Sequence, residues 1–228
     1  MQPDMMRRWA GFGAKAAVTA VLVWLVLGSV DLQAVGARMA ALSPAAAALA
    51  IALLISHCFI AGWRWQLVMR LFGPVLPLRQ AIRLFIEGYF FNNALPSTVG
   101  GDAVRILRAR AAGLPLAASV GGVLLDRVTG LAGLFLLVLA GQPLLYARVA
   151  DAEVRLAFAA ILLCGAAAIA MLILVRHVPV PLLPGVVRDN LRTLSEATHR
   201  AFLHPSVSAP VLGLAVVVHG LIVLSVHV

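Results

Sequence analysis

The chain has 228 residues, of which 62% are apolar and 12% are charged, and its mean hydropathy is +1.01. A soluble domain is about half apolar and about a quarter charged, so this composition excludes a soluble globular protein and a disordered one, and indicates a polytopic membrane protein. The net charge of +9 does not indicate nucleic-acid binding, because the basic residues lie between apolar runs. In that position they set membrane topology and contact anionic lipid headgroups.

Five apolar segments are predicted to cross the membrane, since a spanning helix needs about 20 mostly apolar residues. The sequence thus predicts an all-α polytopic bundle forming one membrane domain over residues 1–228. The last segment runs into the end of the chain without a polar flank, which predicts a protein that continues beyond residue 228. The predicted spans cover about residues 16–30, 44–62, 115–140, 156–175 and 210–228.

The basic residues between these spans predict the orientation of the chain. The N-terminus and the segments between spans 2 and 3 and between spans 4 and 5 carry 14 of them, and the opposite loops carry 3. Arg64 and Arg105 are counted in the larger group. Cytoplasmic loops are enriched in Lys and Arg, so the N-terminus is predicted to be cytoplasmic. Because 17 of the 18 basic residues are Arg and Ala is abundant, we expect a bacterial inner-membrane protein.

The segment 79–113, between spans 2 and 3, is too polar for an ordinary span and too apolar for an ordinary loop. Arg83 and Glu87 lie one turn apart on a polar stripe of a predicted helix. A run of turn residues follows, and a second helix over about 102–112 is predicted to end at Gly113. Two short helices between spans whose ends share one side predict a re-entrant hairpin, which is tolerated at membrane depth where protein or a wet cavity covers it.

Gly100 and Gly101 lead directly into the second of these helices. The free N–H groups and the dipole of a helix N-terminus attract anions, and a phosphate is the ligand class that such a site favours. The alternative is a tight turn in which Asp102 is only an N-cap. Arg105 lies three residues after Asp102, so these two side chains can pair on one helix face.

Asp126 and Arg127 lie 11 and 12 residues after Pro115, near the middle of the predicted third span. Charged residues at that depth cost several kcal/mol and usually face a bundle interior or a cavity. Neighbouring side chains on a helix diverge, so each needs a partner elsewhere. Asp126 also lies on a stripe of small residues, which predicts close approach of another helix. Two interpretations stay open: a structural network of buried charges, or a polar cavity for a charged lipid headgroup. The predicted partners are Arg83, Glu87, Asp102 and Arg105.

The linked motifs of residues 83–130 resemble the flippase-like transmembrane region of the lysylphosphatidylglycerol synthetase family. The resemblance implies re-entrant helices and an association with lipid translocation between leaflets, and relatives usually add further spans. The soluble aminoacyl-transferring domain is absent from this sequence, so neither lysyl-lipid synthesis nor a particular substrate is carried over. The matching residues are Gly88, Asn92, Asn93, Pro96, Gly100, Gly101, Asp102, Arg105, Gly113, Asp126, Arg127 and Gly130.

The sequence therefore predicts a lipid-headgroup site and no catalytic residue, cofactor or metal site. No HExxH, GxSxG or GxxxxGK[ST] pattern occurs, so any net pumping would need an ion gradient or a partner. In the predicted site, arginines hold a lipid phosphate, and acids orient the arginines or meet a cationic headgroup. The candidate residues are Arg83, Glu87, Asn92, Asn93, Gly100, Gly101, Asp102, Arg105, Asp126 and Arg127.

Three functions remain open from the sequence. The leading one is a flippase or transporter that moves a polar phospholipid, isoprenoid-type or hopanoid-type lipid between leaflets. The second is an integral-membrane enzyme with Glu87, Asp102 or Asp126 as acid or base, which the scattered histidines do not support. The third is an accessory subunit that docks a lipid-modifying enzyme through the polar loop 176–209, although a charged helix resting on anionic headgroups also explains that loop. A homo-oligomer is compatible with all three.

Overall fold

The computed structural model describes residues 43–73, 76–94, 100–174 and 185–227, together with Trp24, Gly28, Gln33 and Gly36. The four continuous ranges contain α-helices, one 3-10 turn at Arg70–Phe72 and no strand. The all-α prediction is confirmed. The helices are α1 (Pro44–Met69), α2 (Leu78–Ala94), α3 (Gly100–Ala111), α4 (Leu116–Arg148), α5 (Ala152–Leu174), α6 (Gly185–Leu203) and α7 (Pro205–His227).

Four of the described helices are long and apolar enough to cross a membrane: α1 with its 3-10 extension, α4, α5 and α7. They correspond to the second to fifth predicted spans, and the first predicted span lies outside the described residues except for Trp24 and Gly28. The chain divides into two compact units, Met1–Ala48 and Leu49–Val228, and the candidate site described below lies in the second. The single membrane domain and the re-entrant position of α2 and α3 stay predictions.

Helix α1 begins as the sequence predicts but runs further. The N–H of Ala46 donates to Ser43 Oγ at 3.0 Å, so Ser43 caps the helix and Pro44 occupies its first turn. The helix ends at Met69 rather than near Gly62. The helix continues past the predicted span and carries Arg64, which is buried beside an acid.

Helices α2 and α3 pack against each other where two glycines meet. A Cβ at Gly101 would overlap the carbonyl oxygen of Gly88, and a Cβ at Gly88 would lie 2.9 Å from the carbonyl oxygen of Gly101. Only glycine lets the two backbones approach this closely. Helix α3 then ends at Ala111, and Gly113 follows with a φ of +95°. The predicted glycine stop is confirmed.

Helix α4 is longer than the predicted span, because it continues through Pro143 to Arg148. The helix therefore runs beyond residue 140, near which the membrane span is predicted to end. The guanidinium of Arg155 donates to the carbonyl of Tyr146 at 2.9 Å and to the carbonyl of Val149 at 2.6 Å. These bonds satisfy carbonyl groups that a helix end leaves without partners, which supports the extra turns.

The stripe of small residues on α4 is a packing surface, as predicted. A Cβ at Gly122 would overlap Met69 Sδ of α1, and one at Gly133 would overlap the side chain and backbone of Ala215 in α7. Neighbouring helices therefore lie close against α4 on the face that carries Asp126. This packing removes Asp126 from the surroundings of the bundle and places it between helices.

The predicted polar loop 176–209 contains helix α6, one face of which is buried in the protein. Ser195 Oγ donates to the carbonyl oxygen of Leu172 at 2.8 Å, and Arg200 donates to the carbonyl oxygen of Leu71 at 2.7 Å. Ala197 and Ala201 are fully buried on the same face. Helix α6 thus joins the ends of α1 and α5, and its buried face is not a free surface.

Candidate functional site

A single buried carboxylate, Asp126 of α4, lies between two arginines from different helices. Arg64 of α1 contacts Asp126 Oδ1 through Nε at 3.0 Å and through Nη2 at 2.9 Å. Arg105 of α3 contacts Asp126 Oδ2 through Nη2 at 2.9 Å. All three side chains are almost completely buried, and Asp126 is 2% exposed. Both oxygens of the carboxylate are therefore used, which a buried charge requires.

A second carboxylate, Asp102 of α3, extends this arrangement to the rim of the bundle. Arg127 donates to Asp102 through Nε at 2.8 Å and through Nη2 at 2.9 Å, as a two-pronged ion pair. Arg105 Nη1 lies 3.6 Å from Asp102 Oδ1 and so connects the two carboxylates. Together Arg64, Asp102, Arg105, Asp126 and Arg127 form what we call the inner cluster. It joins α1, α3 and α4.

Aromatic rings hold the central arginine of the inner cluster. The guanidinium carbon of Arg105 lies 4.5 Å from the ring centroid of Trp65 and 4.9 Å from that of Phe85. A cation over an aromatic face is stabilised by the ring quadrupole, and Arg suits this stacking better than Lys. Gly88 leaves the space that the Arg105 stem occupies, since a Cβ there would meet Arg105 Cγ at 2.5 Å.

Four members of the inner cluster line a cavity of about 340 Å³ whose remaining wall is mostly apolar. We call it the charged cavity, because its lining includes Arg64, Arg105, Asp126 and Arg127. The inner cluster contains three guanidiniums and two carboxylates, so it carries one net positive charge. Within the described part of the chain, Arg64 Nη1 and Arg105 Nε are buried without a hydrogen-bond partner. Buried donors without partners cost free energy, and an anion in this cavity would satisfy them.

Two histidines, His57 and His219, line the same cavity. His219 Nε2 lies 2.9 Å from the carbonyl oxygen of Gly130, and the His57 ring lies 5.5 Å from the Tyr89 ring in a tilted arrangement. Histidines on apolar helices carry no sequence signal that separates packing from cavity lining. Their position adds polar groups beside the charged side chains of the cavity.

Two predicted site residues lie apart from the inner cluster. Glu87 accepts from Arg83 Nε at 3.0 Å and contacts Arg108 Nε at 3.1 Å. Arg83, Glu87 and Arg108, which we call the outer cluster, line a separate depression of about 210 Å³. The predicted pairing of Arg83 and Glu87 with Asp126 and Arg127 is wrong, because those two find nearer partners in Arg64, Arg105 and Asp102.

The glycines and asparagines of the turn act through structure. The N–H of Gly101, expected to face an anion, donates instead to Asn92 Oδ1 at 2.8 Å. Asn92 also lines the charged cavity, whereas Asn93 donates to the carbonyl oxygen of Tyr89 on the exposed side of α2. Gly100 begins α3. The glycines therefore permit close packing of α2 on α3, and the guanidiniums supply the positive charge.

Arg64 is the main residue that sequence reasoning missed. It lies just past the predicted end of the second span, among arginines that fit the topology rule, so it was counted as a loop residue. A usable signal existed, because Asp126 required a partner and Arg64 is close to the end of a neighbouring apolar run. Which of several arginines meets Asp126 depends on how the helices pack.

The sequence profile described as the lysylphosphatidylglycerol synthase TM region matches residues 13–227. The chain belongs to that family. The resemblance inferred from the motifs of residues 83–130 is thereby confirmed, and so is a multi-pass membrane protein of this type. No curated protein and no solved structure shows significant similarity to the chain.

Proposed function

We propose that the protein is a lipid translocator that accepts an anionic, phosphate-bearing headgroup in the cavity of the inner cluster. One observation carries the proposal. A cavity inside a bundle of apolar helices has an excess positive charge and buried guanidinium N–H groups without partners among the described residues. Phosphate oxygens accept charge-assisted hydrogen bonds from arginine in the two-pronged geometry that guanidinium groups favour.

The proposed role of each arginine follows from how far it is buried. Arg127 is half exposed at the rim and is held by Asp102, so it can meet an arriving headgroup. Arg64 and Arg105 are buried and held by Asp126, so they provide the positive charge inside. A headgroup that moves from Arg127 to Arg105 remains paired with a cation along the way. That continuity lowers the cost of taking the charged group into a medium where a lone charge is strongly disfavoured.

The proposed location is the bacterial inner membrane, with the N-terminus in the cytoplasm. Removing the buried Arg64 and Arg105 from the 14 basic residues on the predicted cytoplasmic side leaves 12 against 3 on the other side. The asymmetry still supports this orientation, since loop residues rather than buried ones follow the topology rule. The lipid itself is the proposed partner, and the proposal requires no metal or cofactor.

The experiment is a leaflet-exchange assay with purified protein in liposomes. Fluorescent phosphatidylglycerol in the outer leaflet is quenched by an impermeant reductant, and the rate at which the inner pool becomes quenchable is measured. We expect Arg127→Gln to slow exchange roughly tenfold or more, because one charge-assisted hydrogen bond is lost.

Arg83→Gln is the matched control. It also removes an arginine from an ion pair with a carboxylate, but Arg83 does not line the charged cavity. Equal exchange by wild type and Arg127→Gln, at equal reconstituted amounts, would contradict the assigned role. Mass analysis of the recovered lipid separates the alternatives: an unaltered lipid in the other leaflet supports translocation, and a chemically altered lipid indicates an enzyme.

A further inference from the structure

Two apolar grooves lie along α4 and α5, and one of them adjoins the charged cavity. The first groove, of about 360 Å³, is lined on α4 by Val128, Leu131 and Phe135 and on α5 by residues that include Met171 and Leu172. Leu131 is also a wall of the charged cavity. The charged and apolar surfaces therefore meet at one side chain.

The second groove, of about 370 Å³, has nearly the same size and chemistry but a different position. It is lined by residues that include Leu139 on α4 and Leu163 on α5, and it shares no lining residue with the charged cavity. The two grooves are separated at Phe135, whose ring packs tightly on Gly165. The pair provides an internal comparison: two similar apolar surfaces, one of which is continuous with the positive charge.

Arg127 and Leu131 are one helical turn apart on α4; both line the charged cavity, and Leu131 also lines the first groove. Both side chains are about half exposed, so neither seals the charged cavity off from the first groove. A molecule with an anionic head at Arg105 or Arg127 and a long apolar chain can cover both surfaces at once by passing over Leu131.

We propose that the first groove holds a hydrocarbon chain of the lipid whose phosphate occupies the charged cavity. This inference rests on the proposed function and extends it by assigning a site to the chain. Bulk lipid chains are as apolar as the groove, so apolar contact alone gives no preference for one membrane molecule over another. The preference arises because the phosphate holds its own chain at high effective concentration beside the groove.

The test uses photoreactive labelling of the whole protein in detergent micelles. One probe is hexadecyl phosphate with a diazirine in mid-chain, and the matched probe is hexadecanol with the same diazirine. Labelled residues are located by mass spectrometry. We expect the phosphate probe to label Leu131, Met171 and Leu172 about tenfold more than the alcohol does, through the tether. In the second groove, Leu139 and Leu163 should be labelled equally by both probes.

Two variants, each of which replaces an exposed leucine of α4, complete the experiment. Leu131→Trp should abolish the excess labelling of the first groove, whereas Leu139→Trp should leave it unchanged. Equal labelling of both grooves by both probes would mean annular lipid only and would overturn the inference. An unchanged excess labelling of the first groove in Leu131→Trp would also overturn the inference.

A separate readout keeps this result apart from the proposed function. Hexadecyl phosphate bound in the charged cavity should slow modification of Arg127 by phenylglyoxal. If it does so without excess labelling of the first groove, the chain site is wrong and the headgroup site stands. If the first groove is labelled in excess but leaflet exchange is absent, the chain site stands and translocation is wrong.

Discussion

The inner and outer clusters contain the same chemical unit in two environments. In each, one carboxylate lies between two arginines: Asp126 between Arg64 and Arg105, and Glu87 between Arg83 and Arg108. The distances are alike, at about 3 Å, but the carboxylate of Asp126 is 2% exposed and that of Glu87 is 24% exposed, and the two outer arginines are mostly exposed. Solvent and salt screen the ion pairs of the outer cluster, whereas those of the inner cluster interact in a medium of low dielectric constant.

Ion-pair geometry alone therefore does not identify the functional charges of this protein. The outer cluster leaves both of its arginines largely exposed to the surroundings, where an added anion gains little. The inner cluster leaves guanidinium N–H groups buried against a cavity. Only there does an incoming anion replace an unfavourable environment with hydrogen bonds.

The largest expected difference between the clusters is in stability, with Asp126→Asn. This change removes the carboxylate that Arg64 and Arg105 share and leaves Arg105 with only the longer contact to Asp102, and breaking a buried pair from one side costs about 3–5 kcal/mol. We expect that loss in the free energy of unfolding, measured by denaturant titration in mixed micelles. Glu87→Gln in the outer cluster should cost about 1 kcal/mol or less. Equal losses would remove the distinction between the two clusters.

Gly88→Ala tests whether the inner cluster depends on the close contact of α2 with α3. The added methyl group would press on Arg105 Cγ and on the carbonyl of Gly101, and overpacking of this kind costs about 1–3 kcal/mol. We also expect weaker binding of hexadecyl phosphate, measured by calorimetry, because Arg105 is displaced. Gly141→Ala is the control, since no atom lies near that position, and it should stabilise by up to about 1 kcal/mol. A destabilised protein that binds phosphate normally would show that Arg105 tolerates the shift.

The smallest expected effect belongs to Arg83→Gln. Exposed ion pairs between neighbouring turns of a helix contribute about 0.3–0.5 kcal/mol, and salt screens them. We expect a change of that size in the free energy of unfolding at low salt and its disappearance at about 1 M salt, where the Debye length is about 3 Å. A large loss that persists at high salt would mean that the outer cluster also holds the fold together.

Composition, the length of the apolar segments and local motifs were sufficient to predict the class of this protein and several of its local features. Long apolar runs can be stable only in a membrane, so the helical bundle followed from composition and length. Ser43, Pro44 and Gly113 fixed helix ends through local backbone chemistry, which does not depend on distant residues. The motifs of residues 83–130 indicated the family, and the position of Asp126 and Arg127 in an apolar run required buried partners for both.

Which residues became the partners of Asp126 and Arg127 depended on how the helices pack. Arg64, Arg105 and Asp102 lie 62, 21 and 25 residues from the charges they meet, and nothing local selects them over Arg83 or Glu87. The choice depends on helix packing, which small residues such as Gly88 and Gly122 permit by letting neighbours approach. The cavity, its unpaired guanidinium groups and its continuity with the first groove at Leu131 arise only when those helices are packed.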